Sequence, residues 1–332
     1  MKRKFKMAGL ILALLLAATG TACGKENGST VKNSSEGGDG MKQILDDVKF
    51  ENGFGCMGVT SADHYKVEKE LEIPGAKGER RWLIAPWATR HGFENEMSVH
   101  QAADGAISFF NVAKDVTVYP GKGKITLMAD AGEEYERPRK ADEPWIHLLL
   151  EQVLPSERKV PFSQMESCVM ELEFSVSECK NIMSAEEYNP NIHAAQVSWF
   201  ITVENSKSTE VTPEGRPDYM WFGLPLYDNR GGGMDDAYQM DYGTMKLIYS
   251  VGKNSTLKRQ VEIGKKYRIA FDVLPEIRKA FELAQQEGSL VGAKFEDMVI
   301  GSMNLGWELP GAFRAKFEID KIGIVYSEKT NQ

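Results

Sequence analysis

Three stretches of this chain put carboxylates, amides and hydroxyls where strand geometry would gather them on one side. In Met170-Glu171-Leu172-Glu173-Phe174-Ser175-Val176 the even positions are apolar, so Glu171, Glu173 and Ser175 share the other face. In Ala195-Gln196-Val197-Ser198-Trp199-Phe200-Ile201-Thr202-Val203 the odd positions are apolar, which leaves Gln196, Ser198, Phe200 and Thr202 together. The third, Asn304-Leu305-Gly306-Trp307-Glu308-Leu309-Pro310-Gly311, reads as a turn holding one carboxylate between aromatic and Gly/Pro elements. Two carboxyls facing one another across a cleft can serve as acid and nucleophile in glycosidic bond cleavage. Amides and hydroxyls beside aromatic rings hold sugar hydroxyls and stack on pyranose faces. Polar-out alternation is also what a plain solvated sheet face shows, so the pattern admits both readings.

Further sugar-facing candidates are aromatic. Trp82, Trp87, Trp145, Trp221, Tyr227 and Trp307 are available; Trp82 and Trp87 have opposite parity, so one of them at most faces a cleft. Tyr227-Asp228-Asn229-Arg230 follows a predicted strand at a loop, a position suited to hydroxyl recognition or to an ordinary turn. The ligand-binding set is therefore Gln196, Ser198, Trp87, Trp221, Tyr227, Asp228, Arg230 and Trp307. Asp235, Asp236 and Asp241 follow a triple glycine and could offer oxygen ligands to Ca²⁺, but the EF-hand spacing is absent and no cofactor is expected. No Cys/His spacing suits zinc, and the five histidines are scattered.

These residues need a β framework. Alternating segments bounded by Gly, Pro, Asn and Asp predict a dozen or so strands between Arg81 and Tyr326. That pattern implies an all-β sandwich or barrel. One helix stands out: Pro275 opens it, Ile277, Ala280, Phe281 and Ala284 form one apolar stripe, and Gly288 closes it. A stripe of that width suits a helix on the sandwich's outer surface. No repeat or Pro/Ser linker interrupts residues 46–332, read as one domain. Cys168 and Cys179 lie on one predicted strand with ends roughly 30 Å apart, too far for a disulfide, so free thiols are expected.

The N-terminus supplies an address. Lys2, Arg3, Lys4 and Lys6 precede an uncharged run from Met7 to Ala22, which ends at Gly20-Thr21-Ala22-Cys23-Gly24. This resembles a bacterial lipoprotein signal, with residues 1–22 removed and Cys23 lipidated, although Gly20 stands where such signals mostly carry Leu. An ordinary secretory signal or an uncleaved anchor are the alternatives. Residues 23–45 read as a flexible Gly/Ser/Asn tether. The expected location is extracytoplasmic, tied by lipid to the cell membrane. The formal net charge is −8, more negative still without the four leader cations, and no basic tract appears, so nucleic acid is excluded as a partner.

From Cys168 to Tyr326 the series of strands, helix, strand, Gly306-Trp307-Glu308 and final strand resembles glycoside hydrolase family 12, a concanavalin A-like jelly-roll family of endoglucanases and xyloglucanases. The resemblance makes Glu308 the counterpart of the general acid/base. It sets Gln196-Val197-Ser198-Trp199-Phe200 against the family's Glu-x-Met-x-Trp nucleophile strand, and Glu171 against a supporting Asp. Gln196 then replaces the nucleophile, and a neutral amide cannot attack an anomeric carbon. The expectation is a surface lipoprotein that binds a polysaccharide or oligosaccharide without a complete retaining pair. The alternatives are a retaining hydrolase using Glu308 with Glu171 or Glu173, or a structural or adhesive envelope protein.

Overall fold

A computed structural model describes residues 40–59, 66–209, 217–241 and 246–330. The signal-like segment, Cys23 and nearly all of the tether lie outside the described residues. Strands are numbered in chain order. One sheet has eight strands, in the spatial order β15 (Lys266–Asp272), β10 (Met165–Asn181), β17 (Phe313–Glu328), β8 (Lys124–Asp130), β7 (Lys114–Tyr119), β6 (Ile107–Phe110) and β5 (Ser98–Gln101); β1 (Lys42–Gln43) also pairs with β17. The other has nine: β13 (Ala237–Asp241), β14 (Lys246–Ser250), β12 (Tyr219–Asp228), β11 (Gln196–Asn205), β16 (Met298–Leu309), β9 (Ile146–Val153), β4 (Trp82–Ala85), β2 (Phe54–Met57) and β3 (Val67–Leu71). The protein is an all-β sandwich of jelly-roll type.

Alternation decides what each sheet buries. On β10, Met170, Leu172, Phe174 and Val176 point into the sandwich; on β11, Val197, Trp199, Ile201 and Val203 do so from the facing sheet. Trp82 and Trp199 are fully buried there. The helix α2 (Leu274–Gln286) buries Ile277, Ala280, Phe281 and Ala284 in the same core. It touches β10 of one sheet and β12 of the other, so its stripe is shared by both layers.

Two boundaries differ from the sequence reading. The sandwich includes residues ahead of 46: β1 pairs with β17, and Ile44 and Leu45 are buried in the core. Residues 304–309 are not a turn but the end of β16, with the bend confined to Pro310–Ala312. Gly306 tolerates no side chain, since a Cβ there would lie closer than 3.0 Å to the Leu148 carbonyl oxygen on β9. Gly306→Ala is therefore expected to cost about 3 kcal/mol of stability. A denaturant melt showing less than about 1 kcal/mol would contradict this packing.

The rim of the eight-stranded sheet contains a buried polar network. Lys114 on β7 and Glu134 in the short helix α1 (Ala131–Glu134) form an ion pair with both side chains fully buried. Thr89 bridges the two, the Arg90 N–H donates to Glu134 at 2.6 Å, and Lys114 Nζ donates to the His91 carbonyl at 3.2 Å. The network ties the loop after β4 to the sheet. Cys56 and Cys168 are buried and Cys179 half-buried, all as free thiols.

Candidate functional site

Register on the nine-stranded sheet assembles a polar row on its outer face. Gln196 on β11 pairs with Glu308 on β16 and, on its other side, with Asp228 on β12; Glu308 in turn pairs with His147 on β9. The row reads Asp228, Gln196, Glu308, His147 across four adjacent strands. Gln196 and Glu308 belong here because their neighbours in sequence, Val197 and Trp307, turn into the core. A bulge opposite Val197–Ser198 re-aims the end of β12, bringing Asp228 beside Gln196 and Pro225 beside Ser198.

Asp228 is saturated with donors. It accepts from Gln196 Nε2 at 2.8 Å, from Arg230 Nε at 3.0 Å and Nη2 at 2.8 Å, and from the Arg230 backbone N–H at 2.8 Å. Burial pushes its carboxyl upward, but the Arg230 hydrogen bonds and charge, with the Gln196 amide, outweigh this and hold it below the ordinary range. Arg230 Nη1 also donates to the Pro190 carbonyl at 3.1 Å. Asp228 is thus a fixed anion whose oxygens are already engaged.

Glu308 is about a quarter exposed. Trp145 Nε1–H donates to its Oε2 at 3.2 Å, and His147 Nε2 lies 3.7 Å from the same oxygen. Burial lowers the His147 pKa, the Glu308 charge opposing this only in part, so the imidazole is neutral at pH 7. His147 Nδ1 is buried without a hydrogen-bond partner among the described residues. Trp145 stacks on His147 at 5.9 Å, and half-buried Trp87 meets His147 edge-on at 5.7 Å. Glu308 therefore has an indole donor and an imidazole beside it, with an amide rather than a carboxylate in the adjacent strand position.

A recess of about 250 Å³ opens next to the row, lined by Gln196, Ser198, Pro225, Tyr227, Asp228, Arg230 and Ser250, with the loop after β12 as its wall. Gln196, Ser198, Asp228 and Arg230 thus come together. Tyr227 contributes only a rim, being 8% exposed and edge-on to Trp307. Trp221 stays on the same face, beside Thr202, but about 20 Å along the strands from Gln196. Its ring meets Phe200 and Tyr219 instead.

Several expected roles are corrected. Glu171 and Glu173 lie on β10 of the eight-stranded sheet, facing away from the core and therefore on the opposite side of the sandwich from Glu308. Glu171 pairs with Lys321 at 3.1 Å, and Glu173 lies 3.8 Å from Arg268. Neither can share a reacting centre with Glu308. Trp307 is fully buried and spends its Nε1–H on the Leu127 carbonyl at 3.1 Å, so it packs the core and meets no ligand. The acidic loop is dispersed: Asp235 accepts from Asn254, Asp236 from Lys279, Tyr249 and the Gly252 N–H, and Asp241 sits on β13. Among the described residues no three His, Cys, Asp or Glu side chains converge as a metal site.

Sequence reasoning passed over His147, Pro190, Asn191, Ser250 and the glycine-rich wall of the recess. His147 and Ser250 join the site through pairings between distant strands, and Pro190, Asn191 and the glycines through loop contacts such as the Arg230–Pro190 hydrogen bond; a single sequence carries no signal for either.

Comparison with known proteins gives structural likeness only. No family model and no curated protein matches the chain. Among solved structures, an engineered Cel12A cellulase derived from that of Rhodothermus marinus shares 12% identity over 74% of this chain and 99% of its own, with a TM-score of 0.37. The native family 12 xyloglucanase from Bacillus licheniformis shares 9% over 70% and 100%, with a TM-score of 0.38. The xyloglucanase domain of NopAA from Sinorhizobium fredii, solved in complex with cellobiose, shares 12% over 70% and 96%, with a TM-score of 0.31. The two-sheet architecture stated above rests on the strand pairing of this chain itself.

Proposed function

We propose that this protein binds a polysaccharide or oligosaccharide on the outer face of its nine-stranded sheet, at the row from Asp228 to His147, and does not hydrolyse it by a retaining mechanism. One observation carries the reading: the residue directly beside Glu308 is Gln196, whose amide is committed to Asp228. A retaining glycosidase needs a second carboxyl about 5–5.5 Å from the first. Here the nearest acid on the row, Asp228, lies two strands away, roughly 9–10 Å by strand spacing, with its oxygens occupied. What remains is a set of fixed donors and acceptors flanked by half-buried Trp87, the composition of a site that holds hydroxyls and a sugar face.

The leader reading adds the setting. A chain lipidated at Cys23 would present this face to glycan outside the cell membrane, holding polymer for neighbouring enzymes.

A glycan array followed by calorimetry tests the proposal. Micromolar-to-millimolar binding of a β-glucan or related polymer is expected, with no release of reducing ends. Arg230→Ala should weaken it at least about tenfold, because it removes a donor and frees Asp228 from its fixed orientation. Absence of any carbohydrate ligand, or wild-type affinity in the Arg230 variant, would remove the proposal.

A further inference from the structure

The recess beside Gln196 is bounded on its far side. The loop between β12 and β13 forms a wall braced from behind: the Lys253 N–H donates to the Gly233 carbonyl at 2.9 Å, and the Asn254 N–H to that of Met234 at 2.8 Å. Gly252 passes so close behind the loop that a Cβ would fall within 3.0 Å of the Asp235 backbone. The fully buried Lys253 side chain ties down Gly232 through its carbonyl. Overhead, Pro190 and Asn191 are clamped by the hydrogen bond from Arg230. The opposite limit of the recess is Gln196, and the next strand carries Glu308.

Its floor contains an unspent group. Ser250 is 3% exposed, lines the recess, and its Oγ has no hydrogen-bond partner among the described residues. A buried hydroxyl without a partner costs on the order of 1–3 kcal/mol, so such groups mark places where a ligand or water completes the bonding. The volume of about 250 Å³ is below the roughly 300–1,000 Å³ of drug-sized pockets, room for one small ring and not for a chain passing through.

We propose that this recess receives a single terminal sugar residue, so that the protein reads the end of a glycan chain and not its interior. Arg230, held in place by Asp228, would meet the hydroxyls of that residue on one side, Ser250 Oγ from the floor, with Pro225 against its apolar face. The rest of the glycan would leave past Gln196 toward Glu308 and Trp87. The inference rests on the carbohydrate reading above and names what part of the carbohydrate is held.

Calorimetry with β-1,4-gluco-oligosaccharides of two to six units and with hydroxyethylcellulose tests it. The expected result is one protein per chain at every length, with affinity changing less than about twofold beyond three units. Ser250→Ala should weaken binding about five- to tenfold, the loss of one hydrogen bond, while its thermal midpoint stays equal or rises because an unpaired hydroxyl has been removed. A stoichiometry that grows with chain length, or wild-type affinity in Ser250→Ala, overturns chain-end recognition and leaves the carbohydrate reading standing. No binding to this series or to any glycan of the array overturns both.

Discussion

Exchanging the amide and the carboxylate at positions 196 and 228 is expected to install a retaining hydrolase pair on the polar row. In the double variant Gln196→Glu, Asp228→Asn, a carboxylate stands in register with Glu308 on the adjacent strand. Directly opposed side chains have Cβ atoms about 4.5–5.5 Å apart, which brings their carboxyls into the range of a retaining pair. The hydrogen bond between positions 196 and 228, 2.8 Å in the native protein, survives with its donor and acceptor reversed, at the cost of the bond that the same Asp228 oxygen accepts from Arg230 Nη2. Gln196→Glu alone should do less. It puts two carboxylates within hydrogen-bond distance, and such a pair cannot fully ionise, so a share of the new nucleophile stays protonated. Reducing-end release from soluble β-glucan should rise at least about 10²-fold over the native background in the double variant, and return to background when Glu308→Gln is added. A folded, glycan-binding double variant with no hydrolysis would show that position 196 does not face the scissile bond.

The second large effect is on stability. Glu134→Gln removes one charge of a fully buried pair and leaves the Lys114 ammonium without its counter-ion. The expected cost is about 3–5 kcal/mol, measured by denaturant unfolding. Replacing both partners, Lys114→Met with Glu134→Gln, should recover most of it, since the price of the single change is an uncompensated buried charge. The pair also sets the acid limit. Burial pushes the Glu134 carboxyl up, but the Lys114 charge and hydrogen bonds, with those of Thr89 and the Arg90 N–H, outweigh it and hold the group below its ordinary value. Its contribution is complete above the unfolded carboxylate pKa of about 4.3 and fades as pH falls through the lowered folded value. Asp228 follows the same sign. Unfolding midpoints should therefore fall steeply below about pH 4, and the slope should be shallower in the double replacement. A single replacement costing under about 1 kcal/mol would contradict the buried network.

Period-2 patterning made much of this architecture legible. The odd residues of 195–203 are apolar, which fixed Gln196 and Ser198 on an outer face before any pairing was known. The helix was legible from Pro275, the stripe of Ile277, Ala280, Phe281 and Ala284, and Gly288. Where a segment was read as the wrong element, the parity argument had nothing to act on. Taken as a turn, residues 304–309 left Trp307 free to face a ligand; as strand, Trp307 shares parity with Met303 and Leu305 and goes inside. Glu171 and Glu173 failed for a different reason. Alternation tells which residues share a face of one strand, but not which sheet that strand joins. The neighbours that complete the row, His147 and Asp228, come from strands remote in sequence from Glu308.

The short pairing of β1 with β17 bears on how the molecule stands. The chain enters the sandwich through the eight-stranded sheet, the layer opposite the recess. Were the segment ahead of β1 anchored, its pull would fall on the back of the molecule. Tethered to a surface, the sandwich would turn its polar row outward, and the strand that takes the load, β17, is hydrogen-bonded along its length to β10 and over Arg314–Ile319 to β8, and contributes no residue to the row. Tension on such an anchor would be borne by the back layer while the polar row keeps its shape.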